Sequence, residues 1–385
     1  MLEMIFWISV LLVFYIYLGF PLLLFVRAKL WRCPVRCGDV QPTITVVIVA
    51  HNEAAGIRAK LDNLLTSNYP QDHLDIIIGS DGSDDGTNDI ILQERRATLL
   101  ALPRQGKIPA LNAAVQRARG DILVFSDANS MYARSAIRML VRPFADPSVG
   151  GVAGSQRYVP DQRPSSASEG ERAYWSFDET LKRWQAEAGS LTSSTGAIYA
   201  IRRELFKPVP SGVGDDAVIS YRVVASGHRM VFAPAAVAFE PVAPSEDAEF
   251  QRKVRVCARG LRGLLVEPEL FNPFRHGFYS VQLVSHKLLR WLGAWPLIAA
   301  FVASLFLSSR RPIYGELALV QAGFYLAAGA VIVLPKLLPR LPLGRILTLP
   351  FYFCLANVAF LAAQFKVVQG QRIDRWEVRR GTTAT

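Results

Sequence analysis

LDIIIGSDGSDDGT, at Leu74–Thr87, is the stretch of sequence that decides the fold. Its three consecutive isoleucines, Ile76–Ile78, end at a glycine and a serine, and every later residue of the stretch is acidic, glycine, serine or threonine. A short β-branched run bounded by Gly and Asp is typical of a strand buried on both faces, as in a parallel α/β sheet. Ligands of such sheets bind just beyond the carboxyl ends of the strands. The pattern therefore places Asp81 at a ligand site.

A second stretch, DILVFSDANS at Asp121–Ser130, has the same form, with Asp127 and Asn129 directly after the strand Ile122–Phe125. Two acidic clusters at strand ends of one sheet can face one pocket. Because carboxylates repel phosphates, a site formed by Asp81 and Asp127 suits a divalent cation, Mg²⁺ or Mn²⁺, that bridges to a diphosphate. The alternative is that both clusters only form turns, since Asp, Asn and Gly are the usual turn residues.

The composition indicates a membrane protein. The chain has 385 residues, of which 51% are hydrophobic, too large a fraction for an ordinary soluble protein. Met4–Val26 contains no charged residue and exceeds the roughly 20 apolar residues that cross a bilayer. It lacks a basic leader and a small-residue cleavage site, so we interpret it as an uncleaved anchor and not as a signal peptide.

The charges beside this anchor predict its orientation. Only Glu3 precedes it, whereas four basic residues follow it, namely Arg27, Lys29, Arg32 and Arg36. By the positive-inside rule, the chain after the anchor begins in the cytoplasm. We interpret the net charge of +11 as an attraction of the protein to the membrane surface. We expect membrane lipid and no nucleic acid as a partner, because zinc-finger spacing and aromatic-interleaved basic strands are absent from the sequence.

Strand and helix patterns alternate through the first half of the chain. The predicted strands are Thr43–Ala50, Ile76–Ile78 and Leu99–Leu102, and the predicted helices are Ala54–Ser67, Thr87–Arg96 and Ile108–Ala118. The first helix has apolar residues at the i, i+4, i+7 spacing of one buried face. This alternation predicts a doubly wound parallel sheet.

Six short motifs occur in order along this region. They are VIVAHNE (Val47–Glu53), SDGSDDGT (Ser80–Thr87), GKIPALNAA (Gly106–Ala114), FSDAN (Phe125–Asn129), STGAIYAIRRELF (Ser194–Phe206) and GDD (Gly214–Asp216). Their series resembles the membrane-bound family 2 glycosyltransferases, the relatives of cellulose, hyaluronan, chitin-oligosaccharide and poly-N-acetylglucosamine synthases. The resemblance implies an α/β GT-A fold, a nucleotide-sugar-binding and mostly parallel sheet domain inserted between transmembrane helices.

The resemblance also implies roles for individual residues. Asn52 and Glu53 would line the nucleoside pocket, and Asp81 would contact the base or the ribose. Lys107 would lie near the nucleotide of the donor. Asp127 and Asn129 occupy the Asp-x-Asp positions that hold the metal in this family. Asn129 departs from that pattern, because its amide offers only a neutral carbonyl oxygen.

The acidic pair of the GDD motif is the third chemical element. Sugar transfer needs a base that takes the proton of the acceptor hydroxyl. In the family pattern the second acidic residue is that base, which makes Asp216 the catalytic base and Asp215 a substrate-binding neighbour. Adjacent carboxylates also raise one another's pKa, which helps a base to work near neutral pH. The alternative is helix capping ahead of a helix predicted at Ala217–Val224, and both interpretations can hold together.

Glu249–Leu265 interleaves basic and apolar residues, which is typical of an amphipathic helix on a membrane surface. Processive relatives carry a Gln-x-x-Arg-Trp motif here, whose Arg binds the diphosphate and whose Trp stacks on the acceptor sugar. Arg252 occupies the Gln position, Arg255 matches the Arg and Val256 replaces the Trp. The match predicts diphosphate binding by Arg255, while the loss of the Trp argues against processive elongation.

Two tryptophans, Trp175 and Trp184, lie in a polar and aromatic stretch that predicts an exposed helix. Their rings would suit a sugar face beside the site. The alternative is that they pack this helix against the rest of the protein.

The last third of the chain predicts further membrane segments. They are Leu289–Leu307, Leu317–Leu334 and Leu347–Val368, preceded by an interfacial segment at Phe271–Lys287. Three spans after a cytoplasmic domain would leave the end of the chain outside, whereas its basic residues favour the cytoplasm. We therefore expect one segment to be re-entrant or interfacial, near Pro335–Pro350.

These patterns predict five parts of the chain. They are an anchor and linker (residues 1–40), a cytoplasmic GT-A domain (41–248), interfacial amphipathic helices (249–288), a transmembrane bundle (289–370) and a basic tail (371–385).

The predicted function is an inverting, metal-dependent hexosyltransferase, multi-pass in the inner (plasma) membrane with a cytoplasmic catalytic domain. It would move a sugar from a nucleotide-sugar, which we expect to be UDP-linked, to a growing saccharide or lipid-linked acceptor in cell-surface polysaccharide synthesis. Two alternatives are single-sugar transfer to a polyprenyl-phosphate carrier and a non-catalytic scaffold of an export complex.

Overall fold

The structure is a computed structural model that describes residues 1–159, 166–241, 245–337 and 344–371. Within these ranges, the side chains of residues 166–176 and 331–348 are not described.

An eight-stranded sheet in the order β3-β2-β1-β4-β7-β6-β8-β5 forms the centre of the α/β domain. The strands are β1 (Ile44–Ala50), β2 (Leu74–Asp81), β3 (Ala97–Leu102), β4 (Ile122–Asp127), β5 (Met131–Tyr132), β6 (Val149–Tyr158), β7 (Tyr199–Arg202) and β8 (Arg229–Glu240). The helices of this domain are α3 (Ala54–Leu65), α4 (Thr87–Leu92), α5 (Lys107–Arg117), α6 (Ala136–Val141), α7 (Ser166–Ala188) and α8 (Asp215–Ala225). Single 3₁₀ turns lie at Gln71–His73, Arg142–Ala145 and Arg203–Leu205.

The first four strands of the sheet are parallel. β1 pairs with β2 on one side and with β4 on the other, and β2 pairs with β3. Every residue of β1 is buried, which explains its uninterrupted apolar sequence. The register sets Ala50 opposite Ser80 and Val49 opposite Asp127, so that β1, β2 and β4 end at the same edge. This register places the polar residues at the ends of these strands close together, as the sequence predicts.

The other half of the sheet is mixed. β6 and β8 are parallel, but β4 with β7, β6 with β7 and β5 with β8 are antiparallel. The alternation of strands and helices along the sequence predicts a doubly wound parallel sheet. The structure agrees for β3, β2, β1 and β4 but not for the mixed half of the sheet. Strand patterns alone carry no direction, because an apolar β-branched run is compatible with either pairing.

Apolar helices follow and precede this domain. α1 (Leu2–Phe14), a π-helical turn (Tyr15–Gly19) and α2 (Phe20–Leu30) come first along the chain. After the sheet come α9 (Glu246–Leu264), a 3₁₀ turn (Pro268–Phe271), α10 (Pro273–His276), α11 (Phe278–Gln282), a π-helical segment (Leu283–Leu289), α12 (Ala294–Leu307), α13 (Pro312–Leu337) and α14 (Gly344–Val368).

Two of the described helices, Leu2–Leu30 and Leu349–Val368, are long and apolar enough to cross a membrane. A third candidate is Phe278–Leu289 with Ala294–Leu307, which together form one span that is bent by 61° or a re-entrant loop. The re-entrant segment expected at Pro335–Pro350 lies largely outside the residues whose side chains are described, and the predicted basic tail lies almost entirely outside the described residues.

The first membrane helix is attached to the α/β domain through α7. Leu24 and Ala28 of α2 have no exposed surface and are buried in one cluster with Leu181 of α7. The Trp184 ring meets Phe25 edge-on at 5.1 Å between ring centroids. Trp184 therefore packs α7 against the first apolar helix, as the alternative interpretation predicts, while the Trp175 side chain lies outside the described residues.

The parallel core leaves no room for a side chain at Gly120, which precedes β4. A Cβ there would lie 2.5 Å from the carbonyl carbon of Ile44 and from the amide nitrogen of Thr45. We predict that Gly120→Ala separates β1 from β4 and destabilises the fold by about 1–3 kcal/mol, the usual cost of overpacking. The melting temperature in detergent, followed by tryptophan fluorescence, should fall by several degrees. Gly323→Ala is the control, because a Cβ on Gly323 of α13 meets no atom within 4 Å; equal melting temperatures for the two variants would contradict the prediction.

Candidate active site

Four side chains from four elements form a line of alternating charge at the carboxyl edge of the parallel strands. Lys107 Nζ, at the start of α5, donates to Asp127 Oδ1 at 2.9 Å and lies 3.2 Å from Asp215 Oδ2. Arg259 of α9 follows on the far side, with Nη2 at 3.8 Å from Asp215 Oδ1. The structure thus brings together the predicted residues Lys107, Asp127 and Asp215.

The two carboxylates and the lysine stabilise one another's charge. Burial by itself would lower the pKa of Lys107, but Asp127 and Asp215 raise it above its usual range. Burial would likewise raise the pKa of Asp215, but Lys107 and Arg259 hold it below its usual value. Asp215 is therefore ionised and committed to this ion pair at neutral pH.

The environment of Asp216 raises its pKa, whereas the environment of the neighbouring Asp215 lowers the pKa of that residue. Asp216 is partly buried, and burial followed by the Asp215 charge raises its pKa above the ordinary value. Its backbone carbonyl accepts hydrogen bonds from Ser194 Oγ at 3.1 Å and Ser220 Oγ at 2.6 Å, which orient the first turn of α8. A raised carboxylate pKa is what a general base working near neutrality needs.

The helix that follows the GDD motif starts earlier than the sequence predicts. The helix was expected to start at Ala217, whereas α8 begins at Asp215 and includes both acidic residues. Gly214 is the N-cap residue, and no side-chain hydrogen bond caps the helix. Both aspartates still lie in the first turn, where negative charge is favourable to the helix dipole.

Asp81 is only 1% exposed and shapes the loop that leads to Lys107. Its Oδ1 accepts the backbone N–H groups of Gln105 at 2.7 Å and Gly106 at 2.9 Å, and Arg104 Nη1 lies 3.4 Å from Oδ2. In this structure Asp81 holds the start of α5 in place, and its contact with a base or ribose stays a prediction.

Asn52 and Glu53 lie against the SDGSDDGT loop. The Asn52 amide exchanges two hydrogen bonds with Asp84, donating to Oδ1 at 2.8 Å and accepting from the backbone N–H at 3.0 Å. Glu53 is buried, and its N–H donates to Thr87 Oγ1 at 2.8 Å. Asn52 adopts a φ of 53°, a left-handed conformation that Asn tolerates better than most residues. These hydrogen bonds therefore join the loop that follows β1 to the SDGSDDGT loop.

The remaining predicted residues lie around Asp127. Asn129 is exposed at the strand end. Arg255 of α9 is close enough for Asp127 to support its charge, although burial and the neighbouring Arg259 lower its pKa. Val256 is 56% exposed. A Cβ on Gly196 would lie 3.0 Å from Asp127 Oδ2, so the STG segment passes directly beside this carboxylate.

The prediction from sequence missed two charged residues near Asp127, the buried Lys60 and the partly buried Glu240. Glu240 ends β8 and accepts hydrogen bonds from Ser130 Oγ and Gln156 Nε2. Burial and the Asp127 charge raise the pKa of Glu240 to about 7. Burial lowers the pKa of Lys60 to about 7 against the opposing effect of Asp127. A carboxylate at a strand end was the available signal for Glu240, whereas no signal in the sequence marked Lys60, because a lysine on an apolar stripe can also reach solvent.

The donor atoms at this edge fit a divalent cation that also binds phosphate oxygens. Asp127 and Asp215 already converge on one cation, the Lys107 ammonium, and Asn129 follows two residues after Asp127. Within the described residues, no group of three or more His, Cys, Asp or Glu side chains could hold a metal by itself.

Comparison with known families identifies the class of protein that this fold and site define. A family model described as "Glycosyltransferase like family 2" matches residues 42–263, more than half of the chain. The chain therefore belongs to glycosyltransferase family 2. This confirms the resemblance that the six motifs indicate.

Individual relatives agree with this assignment. A "Probable glycosyltransferase YdaM" of Bacillus subtilis is 27% identical over 217 residues, which cover 52% of this chain and 50% of the relative. An "N-acetylglucosaminyltransferase" of Rhizobium sp. (strain N33) is 24% identical over 295 residues, which cover 71% of this chain and 64% of the relative. The chain thus spans between half and two thirds of the length of these relatives.

A solved structure confirms the GT-A fold class. The mannosyltransferase PcManGT of Pyrobaculum calidifontis, solved with GDP-Man and Mn²⁺, superposes with a TM-score of 0.70 at 24% identity. The match covers 97% of this chain and all of that one, so it includes the apolar helices as well as the sheet.

We predict that Asp127→Ala abolishes the Mn²⁺-dependent part of nucleoside diphosphate binding, because it removes the charged ligand of the cation. Isothermal titration with UDP, with and without Mn²⁺, measures this difference. Asn129→Asp is the matched variant in the opposite direction, since a second carboxylate should tighten metal binding. An unchanged Mn²⁺ effect in Asp127→Ala would remove this residue from the metal site.

Proposed function

We propose that the protein is an inverting, metal-dependent glycosyltransferase of the inner (plasma) membrane. It transfers a sugar from a nucleotide-sugar, UDP-linked in our proposal, to a growing saccharide or lipid-linked acceptor in cell-surface polysaccharide synthesis. The observation that carries the proposal is that the two adjacent aspartates have different environments. Asp215 is ion-paired with Lys107, whereas Asp216 beside it has a raised pKa.

Basic side chains around the acidic edge would bind the diphosphate of the donor. Lys107 lies between the two carboxylates, and Arg255 and Arg259 approach them from α9. A divalent cation held by Asp127 and Asn129 would neutralise charge on the departing diphosphate. The Mn²⁺ and GDP-mannose bound by the Pyrobaculum enzyme support a metal and a nucleotide-sugar here. The name of the Rhizobium relative supports an N-acetylhexosamine as one sugar to test.

Asp216 would accept the proton of the attacking acceptor hydroxyl. Its raised pKa makes it a stronger base than an ordinary carboxylate, and the fixed charge of Asp215 maintains that shift. Direct attack by the acceptor on the sugar inverts its anomeric carbon and needs no covalent intermediate. The packing of α7 against α2 supports an acceptor at the membrane face, because it holds the domain against the first apolar helix.

Single-sugar transfer to a polyprenyl-phosphate carrier is the second candidate. Val256 stands at the position where processive relatives carry a stacking tryptophan, and Trp184 is engaged with Phe25. Product length separates the two candidates, since single transfer gives a product that does not lengthen as donor is raised.

The proposal predicts activity with one class of donor. Purified full-length protein in detergent is incubated with Mn²⁺, membrane lipids and a panel of radiolabelled UDP- and GDP-sugars, and label is measured in lipid and saccharide fractions. We expect transfer from a UDP-linked sugar. Asp216→Asn should bind this donor normally, because the amide keeps the shape, yet turn over about 10²- to 10⁴-fold more slowly. Loss of donor affinity in Asp216→Asn would instead make this residue a ligand or a structural group.

The proposal also predicts a membrane orientation. A reporter fused after Gly38 should lie in the cytoplasm and one fused before Met4 outside, because the basic residues follow the first apolar helix. Paired alkaline phosphatase and green fluorescent protein fusions measure both positions. The reverse pattern would separate the domain from cytoplasmic nucleotide-sugars and refute the proposal.

A further inference from the structure

The side-chain amine of Lys60 is buried behind the Asp127 strand end. The residue lies on α3 in the same stripe as Ile57, Leu61 and Leu64, and like them it has no exposed surface. Lysine is almost never fully buried unless it is paired, because removing its charge from water is costly. An apolar residue at position 60 would be buried without this cost. The presence of a lysine there therefore indicates a specific role for its amine.

The contacts of Lys60 all lie on one short segment of chain. Its Nζ donates to Ser126 Oγ at 2.8 Å and to the backbone carbonyl of Ser130, and lies 4.0 Å from the ring centroid of Tyr132. Two oxygens and one aromatic face match the three N–H donors of an ammonium. Ser126 and Ser130 are the residues that flank Asp127-Ala128-Asn129. Lys60 therefore joins the two ends of the segment Ser126–Ser130, which we call the aspartate loop.

A second residue of α3 extends this attachment. The Asn63 amide donates to the carbonyl of Tyr132 at 2.9 Å and accepts its N–H at 2.7 Å. On the opposite side, Ser130 Oγ donates to Glu240 of β8. The aspartate loop is thus held between α3 and β8.

We propose that Lys60 is a positioning residue for sugar transfer. By fixing both ends of the aspartate loop, it orients the oxygens of Asp127 and Asn129 toward the divalent cation and the diphosphate of the donor. Lys60 acts through the loop and touches no substrate. This inference rests on the proposed role of Asp127 in metal binding.

The direct test is Lys60→Met, which keeps the length and the apolar stem but removes the three contacts. Mn²⁺ binding to the full-length protein with UDP is measured by the electron paramagnetic resonance signal of free Mn²⁺. We expect about tenfold weaker Mn²⁺ binding per folded molecule. The Mn²⁺ concentration for half-maximal turnover should rise by the same factor, while kcat at saturating Mn²⁺ stays within about twofold of the unaltered protein.

Arg58→Met is the matched control on the same helix. Arg58 donates to the carbonyl of Ile90 at 3.2 Å and to Gln93 Oε1 at 3.0 Å, away from the aspartate loop. It should leave Mn²⁺ binding unchanged even where it lowers the melting temperature. If Lys60→Met also lowers the melting temperature without changing Mn²⁺ affinity, Lys60 is only structural and the proposal is wrong.

Two further variants keep the test decisive. Ser126→Ala removes one acceptor of Lys60 without removing a charge, and it should weaken Mn²⁺ binding by about threefold; unchanged affinity there counts against the proposal even if Lys60→Met does not fold. Asp127→Ala separates the two proposals. Retention of Mn²⁺ by Asp127→Ala refutes the metal assignment itself, whereas loss in Asp127→Ala with full retention in Lys60→Met refutes only the role of Lys60.

Discussion

The Lys107 ammonium between Asp127 and Asp215 is the interaction on which the rest of the site depends. The two carboxylates come from β4 and α8, and without a cation between them they would repel one another in a partly buried position. Because Lys107 is the first residue of α5, the same contact joins three elements that are distant in sequence. It also makes two adjacent aspartates chemically different. Asp215 is ionised in the pair, whereas burial, followed by the charge of Asp215, raises the pKa of Asp216.

The position of Lys107 depends in turn on a buried carboxylate at the end of β2. Asp81 accepts the backbone N–H groups of Gln105 and Gly106, which immediately precede Lys107. Charge-assisted bonds to backbone N–H groups are short and directional, so they set the direction in which α5 begins. The strand register that aligns β1, β2 and β4 therefore determines the distance between Lys107 and Asp127. A shift of one residue would move each side chain to the other face of the sheet.

The contact between the α/β domain and the first apolar helix uses different chemistry. Leu24, Ala28 and Leu181 form an apolar contact between α2 and α7, and Trp184 extends it through Phe25. On the other side, Gly260 of α9 is needed for the close approach of Trp291, since a Cβ there would lie 2.4 Å from the indole ring. The helix that carries Arg255 and Arg259 is thereby held against the apolar helices. The basic residues beside the acidic edge are thus positioned by packing against the apolar helices.

The sequence by itself determined the strand-end placement of Asp81 and Asp127, because buried strands have a distinctive composition and parallel strands end at one edge. It also determined the family, through six motifs in order, and the first apolar helix, through an uncharged run. Only the tertiary structure decided that Lys60 and Glu240 meet the aspartate loop, since those contacts join residues 66 and 110 positions apart. A lysine on an apolar stripe is indistinguishable in sequence from one whose ammonium reaches solvent. The antiparallel placement of β7 and the packing of Trp184 were likewise decided by tertiary structure, because strand direction and aromatic partners depend on which surfaces meet once the chain has folded.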